Sequence, residues 1–380
     1  MLFNKANKGY IFSIFYYVAI LGVLVYMLSL ALNPIPTFIN NQNEAVKQYD
    51  WEQILNSIFD KRDGLLLNGN ADDLKAMYVS GERNSRWALE AEIRRVEYLK
   101  DYAARQCIEF TGVQSNLLIK KARQVGRGYA FFVVVSTTYT YIYQDEPEKE
   151  NLFRIGTYHS MDLIPGSTDS SWLISREWYV DPFQDSFVQE DATDTDYKAF
   201  ILSQTAKDFS GIAEQRVKAV AYADRYAGAA SDGLYGFDYN KDYPNFDSRG
   251  GDCSNYVSQA LHESGFKTGN GWTYTKDAGS HSWCNASGLK SYLVWSGRAN
   301  VIAQGTFNDV YKAAYELMPG DVIGYVKKGR VDHMVLVTGA DSKGYPLINS
   351  HTTDRYRVPW DLGWSESGIK FILLKVNYPS

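Results

Sequence analysis

The chain has 380 residues, of which 45% are hydrophobic and 22% are charged, and its formal net charge is -5. This composition is that of a folded protein and excludes a disordered tail, and the length predicts more than one domain. Because the net charge is negative, the composition indicates no basic surface that would bind a phosphate backbone, and we expect no nucleic-acid partner. The three cysteines, Cys107, Cys253 and Cys284, are too few for a disulfide framework, and their odd number leaves at least one thiol unpaired within the chain.

An apolar run without charged residues occupies residues 10–32. At about 1.5 Å per residue, a helix of this length crosses a hydrocarbon core of about 30 Å. Lys5 and Lys8 precede the run and the next basic residue is Lys47, so the positive-inside rule places residues 1–9 in the cytoplasm and the rest outside. We therefore predict a single-pass membrane anchor at 10–32. The alternative is a cleaved signal peptide and a secreted protein.

Residues 33–46 are predicted to be a spacer, and residues 47–185 an α+β domain. Apolar residues recur at spacings of three and four over 50–59 and 71–106, which indicates helices. Alternating β-branched and aromatic runs, which indicate strands, lie at 117–122, 131–143, 153–163 and 171–180. In outline this order resembles the cystatin-like or nuclear-transport-factor-like folds. Such a fold specifies no ligand, and recruitment of a protein partner is the role we consider for it.

Acidic residues without basic neighbours surround position 190, including Asp185, Glu190, Asp191 and Asp194. This pattern is typical of a solvated segment, and we predict an acidic linker over 186–205. The second domain would then span 206–380.

Cys253 follows two glycines and Asp252 in the segment GGDCSNYVSQAL, residues 250–261. The glycines permit a tight turn, Asp252 is a favoured N-cap residue, and the following apolar residues form a one-sided helical stripe. Cys253 is therefore predicted to begin a helix, where the helix dipole and free N–H groups lower a cysteine pKa and can hold an oxyanion. We predict that Cys253 is a nucleophile and that Asp252, Ser254 and Asn255 contact the substrate.

A thiolate nucleophile needs a base, and His333 is the candidate. It begins the alternating run HMVLVTG, and a second strand-like run over 345–352 follows a turn, which predicts a hairpin. Two residues of the returning strand, His351 and Asn349, are candidates for orienting the imidazole. The residues alone leave both open, with His351 slightly preferred.

Five motifs in order carry a resemblance to a known family: GGDCSNYVSQAL, a segment containing Trp272 and Trp283, PGDVIGY, DHMVLVTG and NSHTTDRYRVPW. Over about residues 213–378 they resemble the putative amidase domain family, which is similar to the papain-like NlpC and CHAP cell-wall cysteine hydrolases. The resemblance implies a papain-like α+β domain that cleaves an amide bond, in peptidoglycan or a peptide, without a cofactor. It implies Cys253 as nucleophile, His333 as base and His351 or Asn349 as the orienting residue.

Three rival interpretations remain. The first is a non-catalytic wall-binding or scaffold module of the same fold, with Trp272 and Trp283 lining a groove for sugar or peptide. The second is a zinc site formed by Cys253, His333 and His351, which the absence of closely spaced ligand pairs disfavours. The third is a disulfide between Cys253 and Cys284, which would abolish thiol chemistry. We expect neither a metal nor a cofactor.

Overall fold

A computed structural model of the chain describes residues 49–68, 71–167, 171–183, 195–231, 237 and 239–379. Residues 50–380 belong to one compact unit. Its first part starts with three helices that cover one face of three long strands and a shorter fourth. These elements are α1 (Trp51–Asn68), α2 (Ala71–Lys75), α3 (Arg83–Gln106), β1 (Ile108–Val125), β2 (Gly128–Tyr143), β3 (Glu146–Pro165) and β4 (Trp172–Trp178).

Among the described residues, the second part begins with five helices, continues with one strand and one helix, and ends with five strands. Its elements are α4 (Thr195–Leu202), α5 (Glu214–Arg225), α6 (Cys253–Glu263), α7 (His281–Cys284), α8 (Ala286–Trp295), β5 (Ala299–Gly305), α9 (Phe307–Ala314), β6 (Val322–Lys327), β7 (Arg330–Ala340), β8 (Pro346–Ser350), β9 (Asp354–Pro359) and β10 (Lys370–Val376). Short 3-10 turns lie at Gly228–Ala230 and Asp247–Arg249. The hairpin predicted from the run that begins at His333 and the run over 345–352 is confirmed, because β7 and β8 pair in antiparallel orientation.

All ten strands described belong to one antiparallel sheet with the order β1-β2-β3-β9-β8-β7-β6-β10-β5, and β4 pairs with β3. The two parts of the chain meet where β3 pairs with β9, at Ile155 opposite Arg355 and Gly156 opposite Asp354. Gly156 is required at this junction, because a Cβ atom there would lie 2.4 Å from the backbone of Ala229. The sheet is therefore continuous across both parts.

The largest hydrophobic core also combines both parts. Tyr139 and Phe153 from the long strands lie in the same buried cluster as Tyr325, Trp360 and Phe371. Beside them, the buried carboxylate of Asp361 forms an ion pair with Arg105 of α3 and accepts a hydrogen bond from the Tyr102 hydroxyl at 3.1 Å. Separating the two parts would expose this core and leave Asp361 without its cationic partner.

The fold-class prediction is therefore wrong. It combined a transmembrane helix with two separate α+β folds, whereas the described residues form one α+β unit on a single sheet. The predicted anchor at 10–32 lies outside the described residues, and none of the helices that are described is long and apolar enough to span a bilayer. In the predicted linker, residues 195–202 form helix α4, and its Tyr197 and Ile201 are buried in the shared core.

Candidate active site

Cys253 is the first residue of α6, as the sequence predicts. Gly250 and Gly251 turn the backbone into the helix with φ angles of 111° and 119°, which residues with a side chain rarely adopt. The thiol is only 8% exposed, and its Sγ lies 3.7 Å from the Ser254 hydroxyl. The backbone N–H of Met334, on β7, is close enough to Sγ to favour the thiolate. The start of α6 therefore packs directly on β7.

Asp252 has a role that its sequence position did not reveal. It occupies the N-cap position of α6, but its side chain makes no capping hydrogen bond. Instead, Oδ1 accepts hydrogen bonds from the Phe246 N–H and from Nδ2 of Asn255, both at 2.8 Å. Oδ2 lies 2.7 Å from Nδ1 of His351. These hydrogen bonds hold the turn before Cys253 in place. Asp252 is buried and does not contact solvent.

His351 lies against the first turn of α6. Its ring stacks on Tyr256 with 4.0 Å between ring centroids, and its Nε2 lies 2.6 Å from the carbonyl oxygen of Tyr226. Burial lowers the pKa of His351, but the hydrogen bond and charge of Asp252 outweigh it and raise the pKa to about 9. Since a carboxylate and a carbonyl oxygen only accept, both ring nitrogens donate and the ring is an imidazolium.

Asn349 is the other candidate for the orienting residue, and its side chain ties three elements together. Its Oδ1 accepts hydrogen bonds from the Thr338 hydroxyl at 2.8 Å and the Arg357 N–H at 2.7 Å. Its Nδ2 donates to Asp224 of α5 at 3.0 Å. In the described structure neither Asn349 nor His351 has a hydrogen bond to His333.

His333 faces away from Cys253. It pairs across the sheet with Tyr325, and its ring stacks with those of Tyr325 and Trp364 at centroid distances of 5.7 and 5.3 Å. Its neighbour Met334 instead packs in the core cluster that contains residues of α6. Because successive strand side chains point to opposite faces, His333 lies on the face remote from α6. Among the described residues no hydrogen bond joins it to Cys253.

The protonation states of Cys253 and His333 follow from burial. Burial raises the pKa of the Cys253 thiol, and the N–H of Met334 only partly offsets this. The predicted lowering of this pKa at the helix start is therefore wrong, because desolvation dominates in so enclosed a position. Burial, helped by the charge of Arg355, lowers the pKa of His333 to about 3. In the free protein the thiol is protonated and the His333 imidazole is neutral.

The residues predicted to contact substrate are inside the protein. Trp272 and Trp283 are fully buried, and their indole N–H groups donate to Ser258 Oγ at 3.1 Å and to Asn255 Oδ1 at 2.7 Å. Ser254 and Asn255 are buried as well. The two tryptophans form the core behind α6, which is the alternative to lining a groove, and their contact with substrate stays a prediction.

The cysteines form no disulfide in the described structure. All three cysteines are free, and Cys284 Sγ contacts the carbonyl oxygens of Gly279 and Ser280. The described residues contain no group of three or more His, Cys, Asp or Glu side chains arranged to hold a metal ion. The proposed zinc ligands are not together, since His333 lies on the other face of the sheet.

Sequence reasoning missed Asp354, a second buried carboxylate near His351. Asp354 Oδ2 accepts hydrogen bonds from the Ala229 N–H at 2.7 Å and the hydroxyls of Tyr239 and Tyr158 at 2.6 and 3.2 Å. Burial raises its pKa to about 6. These partners lie more than a hundred residues away along the chain, so no local motif indicates the cluster.

Comparison with known proteins agrees with the resemblance of the second part. Residues 213–374 match the family described as "Putative amidase domain", which supports a hydrolase that acts on amide bonds. The chain is 32% identical over 153 residues to "Uncharacterized protein YhbB" of Bacillus subtilis (strain 168), covering 38% of this chain and 43% of that protein. It is 29% identical over 180 residues to "Uncharacterized protein YjcM" of the same organism, covering 45% and 37%.

The chain thus spans less than half the length of either relative. No solved structure matches it. The likeness to NlpC and CHAP hydrolases, and the catalytic roles of Cys253, His333, His351 and Asn349, stay predictions.

Proposed function

We propose that the protein hydrolyses an amide bond with Cys253 as the nucleophile. The observation that carries the proposal is the position of this thiol at the start of α6, inside the segment that matches the amidase domain family. The first backbone N–H groups of a helix lack partners within it, so they are available to stabilise an oxyanion. The Met334 N–H beside Sγ supports the same role.

The proposed reaction has two stages. The Cys253 thiolate attacks the carbonyl carbon, the amine leaves with a proton and a thioester forms; water then cleaves the thioester to a carboxylate and the free thiol. Because burial raises the pKa of the thiol, we expect the base to remove its proton only when substrate is bound. The Asp252–His351 pair would keep Cys253 in position during both stages.

Two histidines compete for the role of base. His333 is implied by the resemblance and precedes Met334, whose N–H contacts Sγ, but its ring is on the other face of the sheet. His351 packs against the first turn of α6, but acceptors occupy both its nitrogens. We keep His333 as the proposed base, which requires β7 to shift by one residue so that the ring reaches the face of α6. His333→Gln would then lower kcat at least a hundredfold, and an unchanged kcat would reassign the base.

The substrate we propose is peptidoglycan or a related peptide, as in the cell-wall hydrolases that the sequence resembles. The test incubates the full chain with purified peptidoglycan and with a peptide library, and mass spectrometry identifies the products. We expect new peptide ends from the wild-type protein and from the matched control Cys284→Ala, and none from Cys253→Ala. Equal cleavage by Cys253→Ala would refute the thiol mechanism.

A non-catalytic binding module is the second candidate function. It is favoured by the protonated, buried thiol of Cys253 and by the distance of His333 from α6. For this function we expect wild-type and Cys253→Ala proteins to sediment equally with peptidoglycan while no new ends appear. Cleavage that depends on Cys253 would rule it out.

A further inference from the structure

A pocket of about 460 Å³ lies between α8 and the ends of β5, β6, β7 and β10. Three cationic side chains line it: Lys290 from α8, Arg330 from β7 and Lys370 from β10. Its other polar side chains belong to Ser287, Ser291 and Gln304. None of the described residues that line it is Asp or Glu, and its volume is that of a small-ligand site.

The positive charge of this pocket is largely uncompensated. Within the part of the chain that the structure describes, the side chains of Lys290, Arg330 and Lys370 take part in no ion pair or hydrogen bond. The charge of Lys370 does act on Asp309, but that carboxylate is committed to the start of α9, where it accepts from the N–H and hydroxyl of Thr306 at 2.8 Å each. A concave surface whose charged groups are all positive concentrates anions.

The pocket is close to Cys253 and on the same side of the sheet. Val331 lines it and lies three residues before Met334, whose N–H contacts the thiol. At about 3.3 Å per strand residue, this separation is about 10 Å. Ile372, also in the lining, shares a core cluster with Val257 of α6. A ligand of a few residues is therefore long enough to cover the distance between the pocket and the thiol.

We propose that this pocket is an anion-binding subsite for a carboxylate or phosphate group of the substrate. This inference rests on the proposed function, because the anchored molecule is the one whose amide bond Cys253 attacks. Arg330 offers a planar pair of donors to an oxyanion, while Lys290 and Lys370 add point charges. Ser291 and Gln304 provide further hydrogen-bonding groups in the lining.

Binding is tested first, without reference to catalysis. Inorganic phosphate and glutarate are titrated into the full chain at low ionic strength, and the amide signals of Gly305 and Gly329, which line the pocket, are followed by NMR. We expect saturable chemical-shift changes for at least one anion. The anion that binds more tightly shows whether the pocket prefers a phosphate or a carboxylate group. The variant K290Q/R330Q/K370Q should bind at least tenfold more weakly, since it loses three charge-assisted contacts.

The matched control removes three exposed lysines outside the pocket, in the variant K267Q/K276Q/K375Q. It should bind both anions as the wild type does. Absence of shifts at Gly305 and Gly329, or an equal loss of binding in this control, would overturn the subsite. The Cys253→Ala protein should bind normally, so failure of the amidase proposal leaves this result interpretable.

Catalysis gives the second readout. Two peptide substrates differ only in Glu or Gln at a position about three residues from the cleaved bond, the separation of the pocket from the thiol. The pocket variant should raise KM for the Glu peptide at least tenfold. Its kcat, and its KM for the Gln peptide, should stay at the wild-type values. Normal cleavage of both peptides by the pocket variant would refute the subsite, whereas no cleavage by wild type would refute the proposed function instead.

Discussion

The imidazole of His351 and the carboxylate of Asp252 form a buried pair, Nδ1 to Oδ2 at 2.7 Å, immediately before Cys253. The pair connects the segment after β8 to the turn that begins α6. It joins residues 99 positions apart along the chain, so the start of the helix depends on the end of the sheet.

The first prediction concerns the pH dependence of stability. The pKa of His351 is raised from 6.5 to about 9 in the folded protein. A raised histidine pKa stabilises the fold fully below about pH 6.5, and this contribution is lost as the pH rises through about 9. We expect the free energy of unfolding to fall by about 3 kcal/mol over this window. Urea denaturation at a series of pH values measures it.

His351→Gln should remove this dependence and destabilise the protein at pH 6. The control His262→Gln, on α6 but without a carboxylate partner in the described structure, should keep the wild-type dependence. An identical pH profile for wild type and His351→Gln would contradict the imidazolium assignment.

Thiol reactivity provides the second prediction. Because burial raises the pKa of Cys253 and leaves the thiol 8% exposed, a thiol reagent at pH 7 should modify it at least tenfold more slowly in the folded protein than in urea. The measurement uses a Cys107→Ser/Cys284→Ser protein, so that only Cys253 reacts. Rapid labelling at pH 6 would show instead that the thiolate is present without substrate.

The third prediction tests the core position of Trp283. Trp283→Phe leaves the buried Oδ1 of Asn255 without its donor, which should cost about 1–3 kcal/mol of unfolding free energy. Trp295→Phe is the control, because this side chain is 79% exposed, and it should change stability by less than about 0.5 kcal/mol. Unchanged stability in Trp283→Phe, with weaker ligand binding, would restore the tryptophan groove.

The fourth prediction concerns a buried ion pair in the first part. Arg62 donates to both carboxylate oxygens of Glu177 at 2.7 and 3.2 Å, and both side chains are buried. Arg62→Met should therefore destabilise the protein by about 3–5 kcal/mol, because it leaves a buried carboxylate without its cation. Arg176→Gln, which breaks the half-exposed pair with Asp162, should cost about 1 kcal/mol or less. Equal effects in denaturant titrations would contradict this reasoning.

Local patterns predicted local features correctly. The glycine pair and the apolar stripe indicated that Cys253 begins a helix, and alternation after His333 indicated the hairpin of β7 and β8. These features depend on the conformational freedom of glycine and on residues close together in the chain, and the sequence alone is enough to predict them.

Features that depend on distant parts of the chain were not predicted. The face on which His333 lies is set by its register with Tyr325 and by the packing of Met334 on α6. The pKa of Cys253 is set by its burial against β7. The spacing of residues along the sequence does not indicate this burial. The same applies to His351, whose carboxylate partner Asp252 lies on another element.

The pairing of β3 with β9 has a practical consequence for the segment that matches the amidase domain family. A fragment of residues 206–380 would lose the neighbour that hydrogen-bonds to Arg355 and Asp354 across the sheet. It would present an unprotected strand edge and an open aromatic core, a combination that promotes aggregation. This segment is therefore expected to be insoluble when expressed alone, and the intact unit to melt in one cooperative transition.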